Sequence, residues 1–367
     1  MSDAYHMIGY IREGPSALER SLRHNEAAIR SLAEARRLGR FARVVVTGIG
    51  SSHTAALMAA PVFTYHCPLP TLVCDSAEYA ALADRWVDDR TLLAAVSRSG
   101  ERGLVVSALQ DAARRGAYAV GVTGVETSLL AEAGRMTLLT QEGAEVTFPK
   151  TKSVLATAGL LMRLGLALAD PGDPETGPRL QALQAAPAHI QASLGPFEDE
   201  VRALLPTLQA HEIVAVAGTG GNYGTALEGA MKLQEAAYVP TCGNSTDGLL
   251  NGPVGALDGR WLVILLISRY DLPLSEEVLR VVNSLGARSL VVCEAGLQLR
   301  QPVSHRLTLP GAVDPLIGAL HYLPPLQMLA YYWTVARGMN PDAPSSMRAI
   351  LDAVLVPGRD EPELRQG

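Results

Sequence analysis

Two short stretches place hydroxyl groups where a buried strand turns into a helix. In the first, the apolar run at 44–46 leads into Gly48-Ile49-Gly50-Ser51-Ser52. In the second, the run at 92–96 stops at Ser97-Arg98-Ser99-Gly100-Glu101-Arg102, and a helical pattern follows at once. A glycine-rich turn of this kind leaves free N–H groups and the positive end of a helix aimed at one point. With Ser51 and Ser52 at the N-cap, and with Arg98 or Arg102 near the second turn, the pair suits a phosphate. Simple capping by serine produces the same local pattern, but two such turns at matching places fit that reading less well. A third set lies further along. Glu228, Lys232 and Glu235 stand at i, i+4 and i+7 on one helix face, a spacing shared by ordinary solvated faces and by acid–base groups that must point one way.

The chain has 28 arginines but only three lysines, Lys150, Lys152 and Lys232, and all three fall inside these motifs or beside them. A dinucleotide fingerprint needs G-x-G-x-x-G. Here Ser51-Ser52-His53 fills the place of the third glycine, so NAD is a weak expectation, although Asp75 stands where a ribose-binding acid would. His53 is expected to bond the backbone at the helix start, with the sugar as its other possible contact.

The elements that must carry these groups alternate. Apolar runs at 43–47, 71–74, 92–96, 118–122 and 136–140 read as strands separated by stretches with helical spacing. Short continuous apolar strands between helices indicate a parallel sheet covered on both faces. Leu18, Leu22, Ala28, Ile29, Leu32 and Ala35 form the stripe of one N-terminal helix, 13–38. A helix is expected at 151–169, then a linker at 170–176 (DPGDPET) and a helix at 178–210. The alternation restarts with strands at 213–217, 262–267, 289–293 and 306–309 and closes with a helix at 313–338. VVVTGIGSSHTAALMAA at 44–60 matches VAVAGTGGNYGTALEGA at 214–230, so the halves read as a repeat. The expected fold is α/β, with two tandem doubly wound parallel-sheet domains of flavodoxin-like order. The divisions are a helical segment 1–42, a first domain 43–175 that binds phosphate, a second domain 176–340 that carries Glu235, and an extended tail 341–367.

The bulk numbers agree. A length of 367 residues suits two domains. A net charge of −6 argues against a nucleic-acid partner, so an anionic ligand needs a local trap. Cys67, Cys74, Cys242 and Cys293 make no CxxC pair and no metal spacing with histidine, and read as reduced thiols of a cytoplasmic protein. The polar N-terminus lacks a signal-peptide core, and no apolar run of about 18 residues suggests a membrane span.

With these motifs in this order, the sequence resembles the sugar isomerase (SIS) domain family in its tandem form. That form includes the isomerase half of glucosamine-6-phosphate synthase, SIS-type deaminases and fructosamine-phosphate deglycases. The resemblance covers about 40–350 and rests on Gly50-Ser51-Ser52, the Ser97–Glu101 turn, Gly143-Ala144-Glu145 with Thr151-Lys152, and ALEGAMKLQEAAY at 226–238. It implies a cofactor-free enzyme that binds a phosphorylated sugar and forms a homodimer with sites between subunits. It implies Ser51, Ser52, Ser97 and Ser99 as the phosphate cradle, and Glu145, Lys152 and the backbone near Phe148 as a loop bordering the sugar. Arg102 replaces the usual threonine and is placed to add a bidentate phosphate contact. Glu235 becomes the acid–base residue, with Lys232 orienting it and Glu228. Glu78 matches a glutamate of the loop after the second strand, in a structural or a substrate-contacting role.

Two positions depart from the family's isomerases. The ring-opening histidine before Gly-Pro is Asn251, which can polarise a carbonyl but cannot shuttle a proton near neutrality. The Schiff-base lysine position is Ala349, and the neighbouring Arg348 cannot form a Schiff base. Asp247 is the nearest alternative proton carrier. The readings left open are an isomerase of an open-chain substrate, a deaminase or C–N-cleaving deglycase, and a phosphosugar sensor without turnover. His321 is expected in core and dimer packing, and Asp342 as a cap or brace of the tail.

Overall fold

A computed structural model describes residues 5–343. The elements in chain order are α1 (His6–His24), α2 (Glu26–Arg37), β1 (Arg43–Gly48), α3 (Ser51–His66), β2 (Thr71–Asp75), α4 (Ser76–Trp86), β3 (Thr91–Val96), α5 (Gly103–Arg114), β4 (Tyr118–Thr123), α6 (Leu129–Ala133), β5 (Met136–Leu139), α7 (Lys152–Ala167) and α8 (Thr176–Leu208). They continue with β6 (Ile213–Gly218), α9 (Gly221–Ala237), β7 (Thr241–Ser245), two short 3-10 turns (Gly248–Asn251 and Pro253–Ala256), β8 (Trp261–Ile267), α10 (Leu272–Ser284), β9 (Arg288–Glu294), β10 (His305–Leu309) and α11 (Ala319–Ala336). Each half folds around its own five-stranded parallel sheet, ordered β2-β1-β3-β4-β5 in the first and β7-β6-β8-β9-β10 in the second. This is the flavodoxin-like order, whose switch point lies beside the first strand of each sheet. The apolar runs are strands for the expected reason. Leu92, Leu93, Ala94 and Ala95 are fully buried, and so are Leu262, Val263 and Ile264, because helices cover both faces.

The repeat extends to backbone angles. Gly50 stands at the N-cap of α3 with φ 56° and ψ −129°, and Gly220 at the N-cap of α9 with φ 61° and ψ −127°. Both lie in the left-handed half of the map that glycine enters without strain. By compactness the chain divides within α8, between residues 187 and 188. Residues up to Arg12 group with the later unit.

Two local expectations give way, and a third gains its partner. The N-terminal segment is two helices, not one. Asn25, 2% exposed, donates from its side chain to the carbonyls of Ser21 and Leu139 and accepts from the Leu139 amide, so a buried side chain tied to β5 interrupts the helix. Strand β7, Thr-Cys-Gly-Asn-Ser, was missed because its composition is polar; it is an edge strand paired only with β6. Asp342 accepts the backbone amides of His6 (2.7 Å) and Met7 (2.9 Å), so it caps the start of α1. From residue 344 onward the expected tail, Arg348 and Ala349 included, lies outside the described residues.

His321, in the first turn of α11, is core. Burial, with the His189 ring 6.4 Å away, pushes its imidazole down to about 4. The unfolded chain holds that proton up to the ordinary value near 6.5, so between these values unfolding takes up a proton. The stability due to neutral His321 is complete above about pH 6.5 and falls on acidification toward pH 4, by on the order of 3 kcal/mol in all. Urea unfolding across this range should show the slope, and His321→Leu should flatten it; an unchanged slope rules the assignment out.

Candidate functional site

The first group of site residues sits on the first sheet. Gly48 pairs with Val96, so the turns after β1 and β3 leave neighbouring strands side by side at the switch point. A side chain at position 48 would stand 3.1 Å from the Val96 carbonyl oxygen and 3.0 Å from Ser52 Cβ, so glycine lets the strands and the helix start approach without displacing either. The helix starts one residue earlier than expected. Gly50, not serine, is the N-cap, and the Ser52 hydroxyl makes no hydrogen bond within the protein among the described residues. In the second turn Ser97 and Ser99 are 2% and 6% exposed. Their hydroxyl oxygens accept from the amides of Gly100 (3.2 Å) and Glu101 (3.3 Å), which leaves both hydroxyl protons to donate. Gly100, at φ 71°, has no room for a Cβ, which would lie 2.1 Å from Ser128 Oγ. Arg102 occupies the N-cap position of α5 and is half-buried. Behind the turn, Arg98 lies 3.4 Å from the buried Glu142 carboxylate, and its carbonyl accepts from Gly124 N and Thr123 Oγ1. Burial pushes the Glu142 carboxyl up.

The Glu145 loop works differently from the expectation. Glu145 is fully buried, and its carboxylate accepts from Thr151 N (2.6 Å), Thr151 Oγ1 (2.8 Å), Lys152 N (3.0 Å) and Ser153 N (3.3 Å). It caps the start of α7 from the preceding loop, so its oxygens are taken up by the fold rather than held for a sugar hydroxyl. Burial alone would raise this carboxyl; Lys150 and the amide donors outweigh it and hold it below the usual range. Lys152, 3% exposed, donates to Glu13 at 2.7 Å, and Lys150 Nζ donates to the carbonyls of Glu145 and Thr147.

Three more residues find their places. His53 has its Nδ1 buried without a hydrogen-bond partner, so the expected backbone bond at this atom is absent. Asp75 caps α4 by accepting from Ala77 N at 2.8 Å. Glu78 is exposed in the first turn of that helix, where its charge suits the helix dipole.

The second group belongs to the later unit. Glu228 is 0% and Lys232 1% exposed, and the Lys232 ammonium lies 3.3 Å from Glu228 Oε1 and in direct contact with Glu235 Oε2. Glu235, at 25% side-chain exposure, is the member that reaches solvent. The charged-surface reading of this face therefore fails for Glu228 and Lys232. Burial opposes the ammonium, but the two carboxylates more than compensate and hold the lysine above its ordinary range. Gly229, one residue past Glu228, lets α11 pack close: a Cβ there would meet Leu326 at 2.5 Å. Asn251 ends the first 3-10 turn, exposed. Its Nδ2 donates to the Asp247 carbonyl (2.9 Å) and carboxylate (3.0 Å). With both N–H groups so engaged, Asn251 presents an acceptor, not the donor that polarising a carbonyl requires. Among the described residues no His/Cys/Asp/Glu cluster could hold a metal, and no helix is long and apolar enough to cross a membrane.

The SIS domain model matches twice, at residues 40–167 and 208–337. The chain belongs to the SIS domain family. Among its relatives, a glutamine–fructose-6-phosphate aminotransferase (isomerizing) of Thermococcus kodakarensis is 27% identical over 345 residues, covering 93% of this chain and 57% of that protein. This SIS chain thus spans about half the length of such relatives. Two solved structures share its fold. The C-terminal domain of glucosamine-fructose-6-phosphate aminotransferase from Francisella tularensis gives a TM-score of 0.84 at 19% identity, covering 93% of this chain and 98% of that one. Glucosamine-6-phosphate deaminase from Thermotoga maritima gives 0.68 at 22% identity, covering 90% and 97%.

Proposed function

We propose that this SIS protein is a phosphosugar enzyme, an aldose–ketose isomerase or a deaminase of an amino-sugar or keto-sugar phosphate. The observation that carries the reading is the buried Glu228–Lys232–Glu235 trio, in which one carboxylate alone reaches solvent and is oriented by a fixed ammonium. In this reading Ser51, Ser52, Ser97 and Ser99 donate to the phosphate, and Arg102 adds charge to the grip. Glu235 takes the proton from the carbon beside the carbonyl or imine. The C–H electron pair becomes the C=C bond of an enediol or enolamine while the carbonyl or imine π pair moves onto its oxygen or nitrogen, which takes a proton from water; the proton on Glu235 then returns to the neighbouring carbon as the adjoining hydroxyl gives its own proton back to water. Asn251 accepts a hydrogen bond from a sugar hydroxyl. Glu145 and Lys152 shape the loop without touching substrate. The chain works as a cytoplasmic homodimer with its site at the subunit interface and needs no cofactor.

The second reading is hydrolytic C–N cleavage in the manner of a fructosamine-phosphate deglycase, favoured by Asn251. No proton carrier stands at that position, so a substrate already in open-chain form suits the site better than a closed ring.

A thermal-shift panel of hexose, hexosamine and open-chain sugar phosphates tests both. At least one should stabilise the chain and exchange a C1 or C2 proton with deuterated solvent. Ser97→Ala with Ser99→Ala should weaken that ligand about 10²-fold, since two hydrogen bonds to a charged group are lost. A panel without a stabilising phosphosugar, or a double variant that binds like the parent, overturns the reading. Binding without exchange leaves the sensor.

A further inference from the structure

The two sheets share one strand order, so the turns after their corresponding third strands can be set side by side. After β3 stands Ser97-Arg98-Ser99-Gly100; after β8 stands Ser268-Arg269-Tyr270-Asp271. Both open on Ser-Arg and then diverge. In the first domain the serine hydroxyl protons remain available. In the second the turn already holds an oxyanion. Asp271 Oδ1 accepts from Ser268 N at 2.8 Å and Ser268 Oγ at 2.6 Å, while Oδ2 accepts from Ser275 Oγ at 3.1 Å. Asp271 is 6% exposed, and α10 begins at the next residue, so the carboxylate sits at a positive helix end. No arginine or lysine among the described residues pairs with it. Arg269 is engaged by Glu294 instead.

The turn after β6, which leaves the neighbouring strand, differs in the same sense. Asn222 stands at the place of Ser52 and is 7% exposed, and its Oδ1 is buried without a donor. An acceptor in place of a hydroxyl, and a serine whose hydroxyl is already given to a carboxylate, both refuse a second anion.

We propose that the second domain keeps the oxyanion cradle of its fold and that the Asp271 carboxylate is its permanent occupant. Asp271 then confines phosphate binding to the first domain and sets one phosphate per chain. That ratio rests on the reading of the first-domain serine turns given above; the occupied cradle stands on second-domain geometry alone.

The test uses the full chain carrying Ser97→Ala and Ser99→Ala, in which the first cradle is silent, with and without Asp271→Ala. Thermal unfolding is followed in chloride and in inorganic phosphate at equal ionic strength. Asp271→Ala should lower Tm by about 3–6 °C in chloride. Phosphate should return about half of that loss beyond its general salting effect on the parent, because the Ser268 amide and hydroxyl and the Ser275 hydroxyl that held the carboxylate are left to donate to the entering anion. Asp271→Asn, whose amide still fills the place, should lose less and gain nothing extra. Should Asp271→Ala fail to fold in chloride, Asp271→Ser replaces it. Equal phosphate increments in parent and variants overturn the proposal. Phosphate counting in the chain with both serines intact, one site rising to two on Asp271→Ala, tests the first-domain reading separately.

Discussion

Glu235→Gln should cut turnover by about 10²–10⁴-fold, the usual worth of a positioned general base, and leave ligand-induced stabilisation intact. Glutamine keeps the shape of the side chain and an oxygen for the Lys232 ammonium, and loses only the basic site. Lys232 stays paired through Glu228 at 3.3 Å, so the fold should hardly notice. The loss should fall on kcat with KM nearly unchanged, because the interaction removed is made in the transition state. Proton exchange at C1 or C2 should vanish in parallel. Retained exchange would move the base to another group, with Asp247 the next to test.

Lys232→Met should be strongly destabilising. It strips the cation from between two carboxylates and takes from Glu228, at 0% exposure, its lysine counter-ion. Breaking a buried pair from one side costs about 3–5 kcal/mol, which lowers Tm by about 4–7 °C in a chain of this size. Adding Glu228→Gln should recover most of the loss, since the uncompensated charge goes with it. A loss below about 1 kcal/mol would mean that Glu228 is carried neutral, and the trio would not be an ion cluster.

The order of strands and helices was legible because both sheets are buried on two faces, which makes strands such as 92–96 and 262–267 continuous apolar runs. Strand β7 was not, because an edge strand can be built from Thr-Cys-Gly-Asn-Ser when only β6 pairs with it. The serine turns and the helix face of Glu228, Lys232 and Glu235 could be read because their spacing is local. What escaped were contacts made at a distance along the chain. Glu145 caps a helix beginning seven residues later, Asn25 breaks a helix by bonding Leu139, and Asp342 caps α1 from 336 residues away. No local pattern announces such partners. The Asn251 amide shows a subtler limit: its type was plain, but the direction in which its N–H groups donate depends on Asp247.

The three lysines have a practical use. Lys152 and Lys232 are 3% and 1% exposed with their ammonium groups bonded, and they fall in different compact units. Acylating reagents that seek primary amines can reach either side chain only when its surroundings open. The later unit therefore carries one lysine reporter, Lys232, and the earlier unit carries Lys152 beside the half-buried Lys150; site-resolved mass spectrometry of slowly acetylated protein, read at Lys152 and Lys232, would time the breathing of the two halves independently, with no label introduced.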